Sequence, residues 1–280
     1  MLEMFFSPVI IQAFIIGGLA AISFGLIGVF IVVRRIGYLA GAIAHCAFGG
    51  IGVGIGLQYL ATLNGFIFLK YFIPDPMFVA VIVSIISALL IGVIRIVSQE
   101  REDTVIGAIW ATGMALGLFL VAVVPNNRNI SDYLFGTIIF NTREDVISVV
   151  LVSVFVLVTV LLFFKRFEAV CFDEEFARLK GINTTFYFQL LLVLTAITVV
   201  ILVRVVGIVL VIALLTLPAA TACRFVRRLS SACILAVILG IAGNWLGLIA
   251  SVCLNLPPGP TIVMIASIFY FAALMTTKNQ

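Results

Sequence analysis

His45 is the only histidine in 280 residues, and it lies in an apolar run with no charged side chain between Arg35 and Lys70. A neutral imidazole is a common ligand of transition metals, and it can also carry protons. His45 is therefore a candidate for lining the path of a ligand or ion through a membrane.

Four glycines share a helix face with this histidine. With three or four residues per turn, the sequence places Gly41, His45, Gly49, Gly52 and Gly56 on one stripe. Small residues allow close helix packing in a membrane, whereas an ionisable residue there is typical of a ligand or ion path. We favour close helix packing as the role of the glycines and a transport role for His45. The alternative role for His45 is structural, with a neutral ring hydrogen-bonded to a neighbouring carbonyl.

The elements that must position these residues follow from composition. Hydrophobic residues make up 64% of the chain and charged residues 10%, against about half and a quarter in soluble domains. A helix needs about 20 apolar residues to cross a bilayer, which predicts an all-α polytopic membrane protein with one transmembrane domain over 1–280. We predict about nine spans, with eight or ten left open by segments 61–72, 132–141 and 186–223. The spans lie near 8–33, 37–60, 77–98, 104–124, 145–165, 186–203, 207–223, 231–254 and 259–276.

The basic residues are unevenly divided between the two sides of these spans. Four lie on one side, namely Lys70, Arg128, Arg143 and Arg204. The other side carries Arg34, Arg35, Arg95, Arg101, Lys165, Arg166, Arg178, Lys180, Arg224, Arg227, Arg228 and Lys278. By the positive-inside rule, the N-terminus is outside and the C-terminus is in the cytoplasm.

Residues 166–185 form a charged cytoplasmic loop that is predicted to contain a short helix. Acids at the start of a helix and bases at its end suit the helix dipole, and Gly181 is placed to stop it. The acids and bases are Asp173, Glu174, Glu175, Arg178 and Lys180. Phe172, Phe176 and Leu179 give this helix one apolar stripe, which predicts either docking to a partner or contact with the membrane surface.

Several activities are excluded or disfavoured by the sequence. There is no GxxxxGK[ST] phosphate loop, so the chain cannot hydrolyse ATP by that route, and one histidine cannot assemble a Ser-His-Asp set. The five cysteines are scattered without a CxxC pair, which favours packing residues over a zinc cluster or a disulfide framework. No basic patch is large enough to bind nucleic acid. We expect no enzymatic activity, so the energy for transport comes from a partner subunit or an ion gradient.

Six stretches, in order, resemble the membrane subunits of ATP-driven uptake systems for zinc, manganese and iron, the metal-type ABC permease family. They cover most of the chain from Arg34 to Ser267. They read RRIGYLAGAIAHCAFGGIGVGIGL, REDTVIGAIWATGMALGLFLV, DYLFGTIIF, FDEEFARLKGI, VRVVGIVLVIALLTLPAATA and LPPGPTIVMIAS.

The resemblance implies partners and a location for the chain. It implies a homodimeric permease in a prokaryotic cytoplasmic (inner) membrane, bound by two cytoplasmic ATPase subunits and supplied by an extracytoplasmic metal-binding protein. The ATPase would grip the loop at Phe172 to Ile182, which favours docking as the role of the short helix. ATP would act only through the ATPase subunits. The transported metal would be the substrate, and we expect no permanently bound cofactor.

Two departures from the family pattern concern the metal. The family commonly has an aspartate four residues before the histidine, where this chain has Gly41, and another that begins its last-turn motif, where this chain has Asn255. Fewer acids weaken the attraction for a dication, although Asn255 keeps an oxygen ligand. The thiol of Cys46, next to His45, would favour zinc, although neighbouring side chains on a helix point about 100° apart. His45, Cys46 and Asn255 are thus the candidate residues of the metal path.

The function expected from the sequence is import of a divalent transition-metal ion by alternating access, with ATP binding supplied by a partner. Two alternatives stay open. A secondary transporter or channel driven by an ion gradient would need carboxylates or other charges inside the spans. A degenerate family member that moves a different solute, or only assembles with other proteins, is the second alternative, because of Gly41 and Asn255.

Overall fold

The computed structural model describes residues 7–63, 75–97, 102–124 and 142–276, and all regular structure in these ranges is helical. Of the segments left open, 61–72 is described only at 61–63, where α2 ends, and 132–141 lies outside the described residues. Ten helices are described: α1 (Pro8–Val33), α2 (Gly37–Leu63), α3 (Pro76–Val97), α4 (Glu102–Val123), α5 (Arg143–Phe172), α6 (Glu174–Leu179), α7 (Thr184–Val206), α8 (Ile208–Phe225), α9 (Leu229–Leu254) and α10 (Pro258–Thr276).

Within the described ranges, nine of these helices are long and apolar enough to cross a membrane, and α6 is the exception. The fold expected from the sequence, an all-α polytopic membrane protein with about nine spans, is confirmed. The largest difference is in α5, which continues to Phe172 although the predicted span ends at 165. The first part of the 166–185 segment is therefore helical, and α6 follows it after the single residue Asp173.

Local sequence explains where several helices begin and end. Gly207 separates α7 from α8 because its φ of 84° ends one helix, and a glycine adopts that angle without steric cost. Thr142 and Asp145 form a capping box at the start of α5. Asn183 caps α7 by accepting a hydrogen bond from the Phe186 N–H.

Helix α1 lies in the core and packs against α5, α8 and α9. A Cβ added at Gly25 would lie 2.7 Å from the backbone nitrogen of Val237, so only a glycine allows α9 to approach this closely. Asn244 donates a hydrogen bond to the Gly17 carbonyl in the same interface. These pairings show that α1 and α9 are antiparallel.

The bundle has a basic end and an opposite end. Arg34 follows α1 and bonds to the C-terminal turn of α5 and to α6, so these elements meet at one end. Because α9 is antiparallel to α1, the Arg228 that precedes α9 lies there as well. We call this the basic end, and the end at which α9 finishes at Leu254 is the opposite end.

Candidate functional site

His45 lies where α2 packs against α4. It is eight residues after Gly37, so it sits about 12 Å along α2 from the basic end. Its half-buried ring stacks on Trp110, with ring centroids 4.8 Å apart and planes inclined by 21°. Its Nδ1 lies 3.1 Å from Met114 Sδ. With its proton on Nδ1 the ring donates a hydrogen bond to this sulfur, and with its proton on Nε2 it turns the Nδ1 lone pair toward it.

Trp110 occupies the space beside Gly41. A Cβ added at Gly41 would lie 3.1 Å from two atoms of the indole ring, which is tighter than ordinary van der Waals contact. Trp110 is therefore positioned over the residue that carries an acid in the resembled family. A larger side chain at position 41 requires the indole to move.

Beyond His45, the glycine stripe faces the backbone of α4. A Cβ at Gly49 would lie 2.8 Å from the Gly113 carbonyl oxygen, and one at Gly52 would lie 3.0 Å from the Gly117 Cα. Gly56 is less crowded, since its nearest neighbour beyond its own helix is a methyl of Leu120 at 3.5 Å. The partners advance in the same direction along both helices, so α2 and α4 are parallel and in close contact at Gly49 and Gly52.

Cys46 points to a different part of α4. It is buried, and its thiol donates a hydrogen bond to the Ile109 carbonyl at 3.7 Å. Its backbone is packed against Gly113, where an added Cβ would lie 3.0 Å from the Cys46 Cα. The thiol and the His45 ring thus have different partners.

Asn255 lies at the opposite end of the bundle, where α9 finishes. It caps the C-terminus of α9 in the left-handed conformation, with φ 56° and ψ 42°, and its side chain is exposed. Asparagine tolerates this conformation better than most residues. Since α9 is about 39 Å long and His45 is about 12 Å from the basic end, the two residues are far apart along the bundle axis. The structure does not bring them together.

Helix α6 is joined to the transmembrane helices by a network around Glu174. One carboxylate oxygen of Glu174 accepts a bond from Arg34 at 3.1 Å, and the other accepts one from Arg178 at 3.1 Å. Arg34 also donates to the Val170 carbonyl at 2.9 Å, and Arg178 donates to Thr184. Arg34 was expected only as a topological marker, yet it links α1, α5 and α6.

The apolar stripe predicted on α6 faces outward. Phe172 is 61% exposed, Phe176 51% and Leu179 87%, whereas Ala177 is fully buried against the bundle. Asp173 caps the helix by accepting a bond from the Phe176 N–H. The remaining residues expected to couple to an ATPase are exposed Glu175 and Gly181, the latter with φ 77° where the helix stops.

A second ion pair lies at the opposite end. Arg204, in the last turn of α7, pairs with Asp145 of α5 at 2.9 Å. Asp145 also accepts a bond from the Thr142 N–H, and its side chain is 10% exposed. The pair therefore fixes the end of α7 against the start of α5.

Two site residues were missed by sequence reasoning. Trp110 and Met114 are not among the candidate residues that the sequence identifies. A signal was available, since Trp110 and Met114 are four residues apart, as are Gly41 and His45, so parallel helices in register can pair them. In the part of the chain that the structure describes, no group of three or more His, Cys, Asp or Glu residues could hold a metal ion. The thioether of Met114, beside His45, is a sulfur ligand of another type.

Comparisons with known proteins agree with this architecture. The chain is 36% identical to a protein of Chlamydia pneumoniae named "Probable metal transport system membrane protein", over 93% of this chain and 86% of that one. It is 31% identical to the "Manganese transport system membrane protein MntC" of Listeria monocytogenes, over 91% of this chain and 86% of that one. The structure described as "PsaBC from Streptococcus pneumoniae in complex with Fab" matches with a TM-score of 0.82 and 27% identity, covering 98% and 95% of the two chains.

The family comparison covers nearly the whole chain. Residues 7–277 match the family described as the ABC 3 transport family. This range includes every described helix, so the match reflects the whole bundle and not one motif. The membership that the sequence motifs indicated is confirmed: the chain belongs to the ABC 3 transport family.

Proposed function

We propose that the chain is the permease subunit of an ATP-driven importer that moves a divalent transition-metal ion inward by alternating access. Its family supports the ABC mechanism, and relatives named for manganese transport support a metal as the substrate. A 27% identical relative from Streptococcus gordonii is named "Manganese import system permease protein ScaB", which supports the direction. The metal is cargo, and no permanently bound cofactor is part of the proposal.

In this proposal the basic end faces the cytoplasm of a prokaryotic cell. The excess of Lys and Arg at this end supports that orientation, because positively charged loops stay on the cytoplasmic side. The N-terminus is then outside and the C-terminus inside the cytoplasmic (inner) membrane. An extracytoplasmic metal-binding protein delivers the ion to the end that carries Asn255, and the ion passes His45 on its way inward.

The observation that carries the proposal is the geometry of α6. Its buried side and the Glu174 network hold it on the bundle, while Phe172, Phe176 and Leu179 project from the basic end. An exposed apolar stripe on an otherwise charged helix is suited to a groove on a partner protein. We assign that groove to a cytoplasmic ATPase subunit, with one such subunit on each protomer of a homodimer.

Co-purification of an ABC ATPase subunit with the chain, expressed in its native host, tests the assignment. Phe176→Ala is expected to weaken the association at least tenfold, because truncating a central aromatic anchor costs about 2 kcal/mol or more and about 1.4 kcal/mol already corresponds to tenfold. Phe155→Ala is the matched control, since Phe155 is 50% exposed in the middle of α5 and Phe176 is 51% exposed. Recovery of equal amounts with both variants, or of no ATPase with the unaltered chain, would contradict the proposal.

Metal uptake by reconstituted vesicles tests the path. We expect His45→Ala to abolish most ATP-dependent uptake while the ATPase still co-purifies, because the ring is far from α6. Undiminished uptake would reduce His45 to a packing residue.

A further inference from the structure

The contact between His45 and Met114 identifies the kind of ion that this permease carries. We propose that His45 Nδ1 and Met114 Sδ bind the transported ion together, and that this pair favours zinc(II) or iron(II) over manganese(II). The inference rests on the proposed function and names the substrate class of the same path. It is carried by the 3.1 Å separation of the two atoms at the half-buried α2–α4 interface.

The separation suits two ligands of one metal ion. With zinc–nitrogen and zinc–thiolate bonds of about 2.1 and 2.3 Å as guides, two ligands at a right angle lie about 3.1 Å apart and tetrahedral ligands about 3.6 Å apart, and the weaker thioether bond lengthens both values slightly. The separation of 3.1 Å is close to the first value, and a shift of about 0.5 Å reaches the second. Methionine has three rotatable side-chain bonds, so Met114 can make this shift without moving the helix backbone. Water or another part of the assembly completes the coordination, and a site with two protein ligands releases its ion readily.

The surroundings of the pair disfavour an oxygen-rich site. Position 41, one helical turn before His45, has no side chain, and Trp110 covers it. The indole has an N–H donor but no lone pair in the ring plane that could bind a metal. The exposed oxygen ligand predicted at Asn255 lies near the opposite end of the bundle.

Ligand chemistry then sets the preference. Carboxylate, carbonyl and water suit manganese, imidazole suits zinc and iron, and sulfur ligands favour softer ions. Almost any nitrogen, oxygen or sulfur site binds zinc more tightly than manganese. The informative quantity is therefore the change in the zinc-to-manganese affinity ratio when the sulfur is removed. A simple N–H···S hydrogen bond between the two residues would leave that ratio unchanged.

The experiment measures zinc and manganese binding to the full-length chain in lipid nanodiscs, by equilibrium dialysis and X-ray absorption. A Cys253→Ser background removes the exposed thiol of α9 as a competing zinc ligand. Met114→Leu keeps the volume and removes the sulfur, and such swaps usually cost less than about 1.5 kcal/mol of stability. Cys46→Ser is the control for the other sulfur near His45. Selenomethionine labelling tests the same ligand without any substitution.

We expect the absorption spectrum of the zinc-loaded chain to contain a sulfur neighbour roughly 0.2 Å beyond the nitrogen shell. Selenomethionine should replace it by a heavier neighbour, Met114→Leu should remove it, and Cys46→Ser should keep it. Met114→Leu should also weaken zinc binding about tenfold or more, by analogy with losses at metal-site residues, while manganese binding changes less than about twofold.

Two results would overturn the inference. One is a zinc spectrum that selenomethionine labelling does not change, and the other is an equal loss of affinity for both metals in Met114→Leu. Neither result affects ATPase co-purification or His45-dependent uptake, so the proposed function would stand. If the chain binds neither metal and transports neither, the proposed function fails and the inference fails with it.

Discussion

The link between α6 and the transmembrane helices is open to a direct test through Glu174. This carboxylate accepts bonds from Arg34 of the α1–α2 turn and from Arg178 of α6 itself. Glu174→Gln keeps the size of the side chain and removes its charge. Glu175→Gln is a matched control, because Glu175 is the next residue and exposed. The two variants have the same net charge, so any difference between them comes from the position.

The expected loss can be worked out from the two contacts. The Arg34 and Glu174 side chains are 11% and 28% exposed, so their pair is largely shielded from solvent. A hydrogen bond to a charged group contributes about 1.5–3 kcal/mol, and partial exposure favours the lower part of that range. The Arg178 pair is exposed and adds about 0.3–0.5 kcal/mol. Since glutamine keeps some hydrogen bonding, we expect α6 docking to weaken by about 1.5–2 kcal/mol, roughly 10- to 30-fold.

Amide hydrogen exchange on the full-length chain in nanodiscs measures this loss. The reporters are the N–H groups of Ala177, Lys180 and Ile182, which bond within and just after α6. Their exchange should accelerate roughly 10- to 30-fold in Glu174→Gln and less than about twofold in Glu175→Gln. Exchange in Arg34→Lys should be intermediate, because lysine keeps the charge but loses the two-pronged geometry that bonds Glu174 and the Val170 carbonyl together. If both glutamine variants exchange alike, the Glu174 network does not hold α6 in place.

Two further predictions concern the α2–α4 interface. Gly113→Leu should lower the thermal unfolding temperature of the detergent-solubilised chain by several degrees, because even a Cβ would lie 3.0 Å from the Cys46 backbone. Gly107→Leu is the control and should change this temperature little, because the space around Gly107 is open. Gly41→Asp alone should also destabilise the chain, since its Cβ meets the indole of Trp110 at 3.1 Å. Combined with Trp110→Ala, the same aspartate should be accommodated and should raise manganese binding relative to zinc in equilibrium dialysis; an unchanged ratio would contradict the assignment of selectivity to this position.

Most of the fold could be predicted because each membrane span requires a long apolar run, which is visible in the sequence. Breaks between spans coincide with charges, glycine and proline, and the predicted bounds differ from the helices by a few residues. The exception is α5, whose helix passes through Lys165 and Arg166 to Phe172. Basic residues at a helix end need not end the helix, because their long side chains reach polar partners. Arg166 donates a hydrogen bond to the Tyr187 hydroxyl and lies over its ring.

The site was harder to predict, because its contacts depend on the register between helices. The stripe that contains His45 was visible in the sequence, since it depends only on the period of one helix. Which face of α4 meets that stripe depends on tertiary packing, so the four-residue spacing of Trp110 and Met114 does not by itself pair them with His45. The same applies to Arg34 and Glu174, which are 140 positions apart and lie in separate elements.

The turn between α1 and α2 connects helix α6 to the helix that carries His45. Arg35 has φ 58°, Ile36 N–H bonds to the Ile31 carbonyl and Arg35 N–H to the Val32 carbonyl, which together form a Schellman motif. Residues other than glycine and asparagine are strained in this conformation, so the surrounding contacts must hold Arg35 in it. Arg34, one residue earlier, is fixed to α6 and α5, and α2 begins at Gly37. Under the proposed function, a displacement of α6 is therefore passed to α2 through the three residues between α1 and α2, and His45 lies about two turns along that helix.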